Sequence, residues 1–93
     1  MILDLGLSNV ELYRGLAVDD LAGKRTLTTK PEDAIPILVE NLSSIPIDPE
    51  EVVLTGGMAI WAYLVIFHLL HGRTKRIYYQ DGMGRRVLVA AHG

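Results

Sequence analysis

Hydrophobic and polar positions alternate loosely in the first part of the chain, which is typical of β-strands. Residues 2–6 and 10–18 both show this alternation, and Ser8 and Asn9 between them can form a tight turn. We therefore predict a β-hairpin from these two segments. The polar stretch that follows, residues 19–29, is predicted to be a connecting loop.

A signal for the start of a helix follows at Thr29. This threonine precedes Glu32 by three residues, and Pro31 stands between them, as at the beginning of many helices. Apolar residues then recur at helical spacing to about Ser43, so we predict the first helix over this stretch. Pro36 is expected to kink this helix or to delay its start.

The second half of the chain has the pattern of a β-α-β-β unit. Glu51–Thr55 is a β-branched run typical of a buried strand, and residues 58–71 are apolar on nearly every helical face, which predicts a helix covered on both sides. Arg76–Gln80 and residues 86–92 are predicted strands joined by a turn at residues 81–84. Strand, helix and strand in this order predict a right-handed parallel unit, with the last strand antiparallel.

Length and composition agree with one folded domain over residues 1–93. Hydrophobic residues make up 49% of the chain and charged residues 22%, as in ordinary globular proteins. The fold class that we expect is α/β, with a single mixed β-sheet of about five strands and two helices. The longest apolar stretch, residues 58–70, is shorter than the roughly 20 residues of a membrane-spanning helix. We therefore expect no membrane association, and the absence of cysteine favours a cytoplasmic protein without disulfides.

Charge is distributed unevenly along the chain. Residues 1–56 hold ten acidic and four basic side chains, a balance of −6, whereas residues 57–93 hold one acidic and five basic side chains, a balance of +4. An anionic ligand is therefore expected to prefer the C-terminal half. Ordinary solvated surface explains the same charges equally well, and a long nucleic acid would normally require a more basic domain.

The predicted topology separates the polar residues of the C-terminal half into two groups. If the last strand returns from the turn at Asp81, then His92 lies roughly 23 Å from it. The helix ends on the same side of the sheet as His92, so His68 and His71 are expected there. Asp81 can therefore meet a histidine only if two molecules stack end to end.

Thr55, Gly56 and Gly57 follow a strand and open a helix, where free backbone amides can hold a phosphate. A plain strand-to-helix turn explains them equally well. His68 and His71 are three residues apart on one helical face, a spacing that allows metal ligation or acid–base work. Capping of the helix C-terminus is the more frequent reason for such histidines.

Asp81 precedes a glycine, and an aspartate there is a turn residue as often as a catalytic one. A free carboxylate at this tip can also bind Mn²⁺ or Mg²⁺, or position a hydroxyl group. His92 stands near the end of the sequence, where an untethered tail is the usual expectation.

The run Val-Val-Leu-Thr-Gly-Gly-Met-Ala-Ile-Trp at residues 52–61, continued by His68, His71, Asp81 and His92, resembles a known family. It is similar to the small manganese-dependent ring nucleases of type III CRISPR systems, the Csx-three or Crn-three family. The resemblance is confined to the C-terminal part of the chain. In the N-terminal half only the predicted order of elements is similar.

The resemblance implies a CARF/Rossmann-like βαβ core and the hydrolysis of cyclic tetra-adenylate, the second messenger of type III CRISPR defence. Its implied cofactor is Mn²⁺, with Mg²⁺ as the alternative. Asp81 would bind the metal or orient the attacking group. His71, with His68 as second choice, would act as metal ligand or acid–base group, and His92 as a supporting polar contact. The implied assembly is a homodimer that stacks head to tail with other dimers around the ring.

The remaining roles concern the phosphate. Backbone amides at Thr55, Gly56 and Gly57 would hold it, and Arg85 or Arg86 would offset the charge that develops on it.

Two positions depart from the family pattern. Ala59 replaces a proline before the Ile-Trp pair, and Met83 stands where an arginine is expected after the aspartate. The residues therefore also fit two other functions. One is a non-catalytic sensor or sponge that binds the same ring. The other is a structural or interaction domain in which the histidines and the aspartate only cap and turn the chain.

Overall fold

A four-stranded mixed sheet organises the molecule in a computed structural model, which describes residues 1–92. The elements in chain order are β1 (Ile2–Asp4), β2 (Val18–Leu21), β3 (Lys24–Leu27), α1 (Pro31–Ser43), β4 (Glu51–Thr55), α2 (Ile60–Leu70), β5 (Arg76–Gln80) and β6 (Arg86–Ala91). The sheet order is β1-β4-β5-β6, in which β1, β4 and β5 are parallel and β6 is antiparallel. The α/β class with two helices and a mixed sheet is confirmed, with four strands in that sheet and two more in a separate hairpin.

One hydrophobic core joins the sheet to both helices, which contact each other. Consecutive right-handed crossovers in one direction along a sheet place their helices on the same face. The largest fully buried side chains of this core come from the strands, the helices and the segment after β1: Leu5, Leu12, Leu38, Leu42, Val52, Val53, Ile66, Leu70 and Ile77. Among residues 1–92 no helix has the length and apolarity to cross a membrane.

The predicted hairpin of residues 2–6 and 10–18 is wrong. β1 instead pairs in parallel with β4, with Leu3 opposite Leu54. Most of residues 10–18 form turns, and the neighbouring side chains of Leu12 and Tyr13 are both buried.

The connecting loop predicted for residues 19–29 is also wrong, because β2 and β3 form an antiparallel hairpin there. Leu21 pairs with Lys24, and the two residues between them, Ala22 and Gly23, both have positive φ angles of 51° and 78°. Two positive φ angles are the mark of a type I′ turn, which matches the twist of the flanking strands.

The predicted first helix is confirmed, with a different cap. α1 begins at Pro31 and continues through Pro36, so this proline does not delay its start. Lys30 is the N-cap residue and makes no side-chain capping hydrogen bond. Thr29 instead accepts a hydrogen bond from the backbone amide of Ala17 at 2.9 Å, which ties the hairpin to the helix.

The C-terminal β-α-β-β unit is confirmed, but its helix is not covered on both sides. Ile60 and Leu64 of α2 are 78% and 65% exposed. Together with exposed His68 they lie four residues apart along one helical face, and Ile66 and Leu70 face the core. The sequence did not reveal which face of α2 is buried, because nearly every face of this helix is apolar and no polar face indicates the side exposed to solvent.

Candidate functional site

Two of the three histidines meet at one end of the sheet. The Nε2 atoms of His71 and His92 lie 2.5 Å apart, and their rings contact edge to face with centroids 4.1 Å apart. Both residues are exposed to solvent. A hydrogen bond between two Nε2 atoms requires one proton between them, because one nitrogen must donate and the other must accept.

The backbone holds both rings in place. His71 is the C-cap of α2, and its amide donates to the Phe67 carbonyl at 3.1 Å. Gly72 follows with a φ of 100°, the left-handed conformation that ends many helices. His92 follows β6, and its amide donates to the Lys75 carbonyl at 2.6 Å. Its position near the end of the sequence therefore does not leave it untethered.

His68 lies one turn before His71 on α2. Its side chain is exposed and makes no hydrogen bond or ion pair within residues 1–92. The structure thus brings His71 and His92 together and leaves His68 outside their contact.

A cavity of about 330 Å³ adjoins His92. The other residues that line it are Pro49, Gly72, Arg73, Thr74 and Lys75. Arg73 donates to the carbonyls of Leu42 and Ile45 at 3.3 Å, and no carboxylate among residues 1–92 forms an ion pair with it. Lys75 forms an ion pair with Glu50 at 3.4 Å. The cation available to an anion at this end is therefore Arg73 rather than Lys75.

Thr74 also lines this cavity and is 4% exposed. Its Oγ1 atom is buried and has no hydrogen-bond partner among the described residues. An unpaired buried hydroxyl costs free energy, so it is usually explained by a nearby water or ligand.

Asp81 lies at the opposite end of the β5–β6 ladder, as predicted, and holds the turn. Its Oδ1 accepts from the amides of Met83 and Arg85, both at 2.9 Å, and its Oδ2 accepts from Nε of Arg85 at 3.1 Å. The Arg85 amide, with the Arg85 side chain and the Met83 amide, lowers the pKa of Asp81 below its ordinary value although some desolvation opposes this. A carboxylate held in this way is a weak general base.

The two arginines that follow the turn both have partners. Arg85 pairs with Asp81 and is 82% exposed, so its charge is neutralised locally. Arg86 donates from Nη2 to Oε1 of Gln80 at 3.1 Å, which leaves its positive charge available. Of the two predicted phosphate partners, Arg86 is the freer cation.

Gly56 is closely packed, and its neighbour is an acid that the sequence did not reveal. Its φ is +99°, and a Cβ there would lie 2.2 Å from Oδ1 of Asp4 and 2.8 Å from the amide of Gly6. Asp4 is positioned by accepting from that amide at 2.7 Å. A carboxylate against Gly56 opposes the binding of a phosphate at this residue. Gly57 has open space around it and is the better candidate.

Thr55 and the nearby tyrosines have structural partners. The Thr55 hydroxyl donates to the Gln80 carbonyl at 3.0 Å, and the hydroxyls of Tyr13 and Tyr63 donate to the carbonyls of Leu5 and Gly56. Burial is the main cause that raises the pKa of both tyrosines. These phenols are therefore neutral hydrogen-bond donors at physiological pH.

A single copy does not provide a good Mn²⁺ site. Residues 1–92 contain no group of three or more histidine, cysteine or acidic side chains that could hold a metal ion. Asp81 uses both oxygens within its own turn, and the Nε2 atoms of His71 and His92 bind each other. The described residues of one copy therefore do not fit the implied ion.

Three polar residues of the two ends were missed by the sequence analysis. Arg73 carries a role in helix capping that only the fold reveals, because it contacts carbonyls about 30 residues away. Asp4 was missed because β1 was predicted to pair in a hairpin rather than beside β4. Arg25 lines a second cavity and was missed because the β2–β3 hairpin was predicted to be a loop. The two-residue segment Ala22-Gly23, which contains a glycine, was the available signal for this hairpin.

Comparison with known proteins gives no relative: no protein-family model, curated protein sequence or solved structure matches this chain.

Proposed function

We propose that this protein is a ring nuclease that cleaves cyclic tetra-adenylate, with His71 and His92 as its acid–base pair. The contact between their Nε2 atoms, at 2.5 Å, carries the proposal. The ligand comes from the resemblance of residues 52–61 and the spaced histidines and aspartate to CRISPR ring nucleases. Cytoplasmic action fits the cysteine-free sequence, since no disulfide ties it to an oxidising compartment.

The chemistry of phosphodiester cleavage matches what an imidazole pair can supply. A hydroxyl group, either the ribose 2′-OH or a water, attacks phosphorus and loses a proton, while the leaving 5′ oxygen gains one as its P–O bond breaks. Two imidazoles that share one proton can accept the first proton and donate the second. The pair thereby returns to its starting state after each cleavage. A 2′,3′-cyclic phosphate product would identify the 2′-OH as the nucleophile.

Asp81 contributes to this proposal only through a second copy. It lies at the other end of the sheet from His71, so head-to-tail stacking is the arrangement that joins them. A homodimer that stacks in this way would place Asp81 and Arg85 of one molecule beside His71 of the next. The Mn²⁺ or Mg²⁺ ion that the resemblance implies would belong to that junction.

The proposal is tested by incubating the protein with cyclic tetra-adenylate, with and without Mn²⁺, and separating linear products. We expect His71→Ala and His92→Ala each to lower the cleavage rate by about 100-fold, the usual effect of losing an acid–base group. His68→Ala is the matched control on the same helix and should retain nearly full activity. Wild-type cleavage by His71→Ala protein would contradict the proposal.

A non-catalytic sponge for the same ring is the second candidate, and the state of Asp81 favours it. Both oxygens of this carboxylate are occupied, and Met83 stands in the place of the family arginine. Tight binding of the ring without a linear product, unchanged in His71→Ala, would establish this function. The absence of binding to any cyclic oligoadenylate would instead identify a structural or interaction domain.

A further inference from the structure

A second cavity lies far from the histidine pair, between the β2–β3 hairpin and the start of α2. Its volume is about 340 Å³, near the lower limit for small-molecule sites, which span roughly 300 to 1,000 Å³. The lining residues that determine its chemistry are Leu7, Arg25, Thr26, Thr29, Met58 and Trp61. The cavity suits one nucleotide unit rather than a whole cyclic tetramer.

Its walls are apolar in a way that suits a flat ring. Leu7, Met58 and Trp61 are partly buried and pack against the core, which fixes this wall of the cavity. Trp61 is the single tryptophan of the chain, and its indole NH makes no hydrogen bond with residues 1–92. Indoles provide both a stacking surface and a polar donor for a heteroaromatic base.

Its polar groups favour an anion. Arg25 on β3 is exposed and forms no ion pair within the described part of the chain, even though Asp20 is its register partner in the hairpin. A guanidinium group recognises phosphate through charge-assisted hydrogen bonds. Thr26 and Thr29 add hydroxyl groups to the same lining.

The lining also lacks negative charge, although it lies in the acidic half of the protein. Residues 1–56 contain ten carboxylate side chains, yet none of them lines the cavity. The helix that opens here has Ala59 as its N-cap, without a side-chain capping hydrogen bond. The first backbone amides of α2 therefore have no side-chain cap. These amides add to the preference for an anion that the charge of Arg25 creates.

We propose that this cavity binds one nucleotide, with the base against Trp61 and the phosphate at Arg25. The choice of adenylate as the nucleotide rests on the proposed function. The cavity and His71 lie at opposite ends of α2, so one molecule can hold a nucleotide here while the histidine end of a stacked copy reaches a phosphodiester. The site is a binding subsite and has no catalytic group of its own.

Trp61 makes the proposal directly measurable, because it alone reports tryptophan fluorescence. We titrate the protein with 5′-AMP, adenosine and inorganic phosphate, and expect saturable quenching by AMP that is tighter than by adenosine. Arg25→Gln should weaken AMP binding by about 10-fold, the effect of losing one charge-assisted hydrogen bond, and should leave adenosine binding nearly unchanged. Lys24→Gln on the same strand is the control, since Lys24 does not line the cavity. Trp61→Leu, followed by calorimetry, should weaken both nucleotide and nucleoside.

Several results would overturn this proposal: no saturable quenching by millimolar AMP, equal affinity for AMP and adenosine, or equal loss in Lys24→Gln and Arg25→Gln. Its failure is distinguishable from failure of the ring nuclease proposal. Cleavage of cyclic tetra-adenylate with no AMP binding and no effect of Arg25→Gln would remove only the nucleotide subsite. AMP binding that depends on Arg25, without any cleavage of the ring, would remove only the nuclease.

Discussion

Gly56 shows how one residue constrains the end of the sheet where Asp4 lies. The carboxylate of Asp4 occupies the space that any Cβ at Gly56 would need, and the positive φ there independently favours glycine. Gly57 is the next residue, but a Cβ added there would meet no atom within 4 Å, and its φ angle is not positive. The two neighbouring glycines that looked equivalent in sequence therefore have different roles.

The first stability prediction concerns this pair. Gly56→Ala should lower the free energy of unfolding by about 2 to 3 kcal/mol, because its Cβ meets Asp4 and its φ lies in the left-handed region. Gly57→Ala is the matched control and should change the free energy by less than about 1 kcal/mol. Urea denaturation of the two variants measures the difference. Equal losses would show that Asp4 does not pack against Gly56 as described.

Residues of the histidine pair could be placed from the sequence, whereas Asp4 and Arg25 could not. His71 and His92 depend on one helix and one hairpin that are contiguous in sequence, so local pattern and turn chemistry suffice to bring them to one end. Asp4 depends on pairing between β1 and β4, which are about 50 residues apart. Arg25 depends on a turn with alanine at a position where asparagine or aspartate is the usual signal.

At the scale of elements, the β5–β6 hairpin is held by the Asp81 carboxylate. The backbone amides of Met83 and Arg85 donate hydrogen bonds to this carboxylate. These hydrogen bonds are stronger when the carboxylate is charged than when it is protonated. Because the folded-state pKa of Asp81 is lowered, its contribution to stability is present above the ordinary aspartate pKa of about 4 and is lost as pH falls further.

The prediction that follows is a pH-dependent difference between two variants. Asp81→Ala should be less stable than wild type at pH 7, and the gap should shrink as pH drops below about 4. Asp81→Asn keeps an oxygen that can accept from both amides and should lose less. Thermal unfolding from pH 2 to 7 measures this. A gap that stays constant with pH would mean that the charge of Asp81 does not stabilise the hairpin.

The helices and strands from Pro31 onwards were predicted better than those of the N-terminal third, because their sequence patterns are stronger. Helix α1 and strands β4, β5 and β6 carry periodic or β-branched patterns and were located correctly. The N-terminal third carries weak alternation, and its course is decided by tertiary contacts such as the two hydrogen bonds from Asn41 Nδ2 to the carbonyls of Leu12 and Arg14, both 2.8 Å. No local signal marks such a contact.

On the scale of the whole molecule, the polar groups form two separate clusters at opposite ends of one sheet. The histidine pair lies at the end where α2 finishes, and Asp81 lies at the end where β5 finishes, beside the start of α2 and its cavity. Neither end contains, among residues 1–92, a group of three or more histidine, cysteine or acidic side chains that could hold a metal ion. In the function that we propose, a second copy stacked head to tail brings the two clusters together.

The most direct test of this account is the cleavage rate of a mixture of two inactive variants. His71→Ala and Asp81→Asn proteins should each cleave cyclic tetra-adenylate poorly alone. Mixed in equal amounts, they should recover about a quarter of the wild-type rate, because random pairing of copies restores one junction in four. No recovery at any mixing ratio, with both variants folded and each inactive alone, would contradict a site shared between copies.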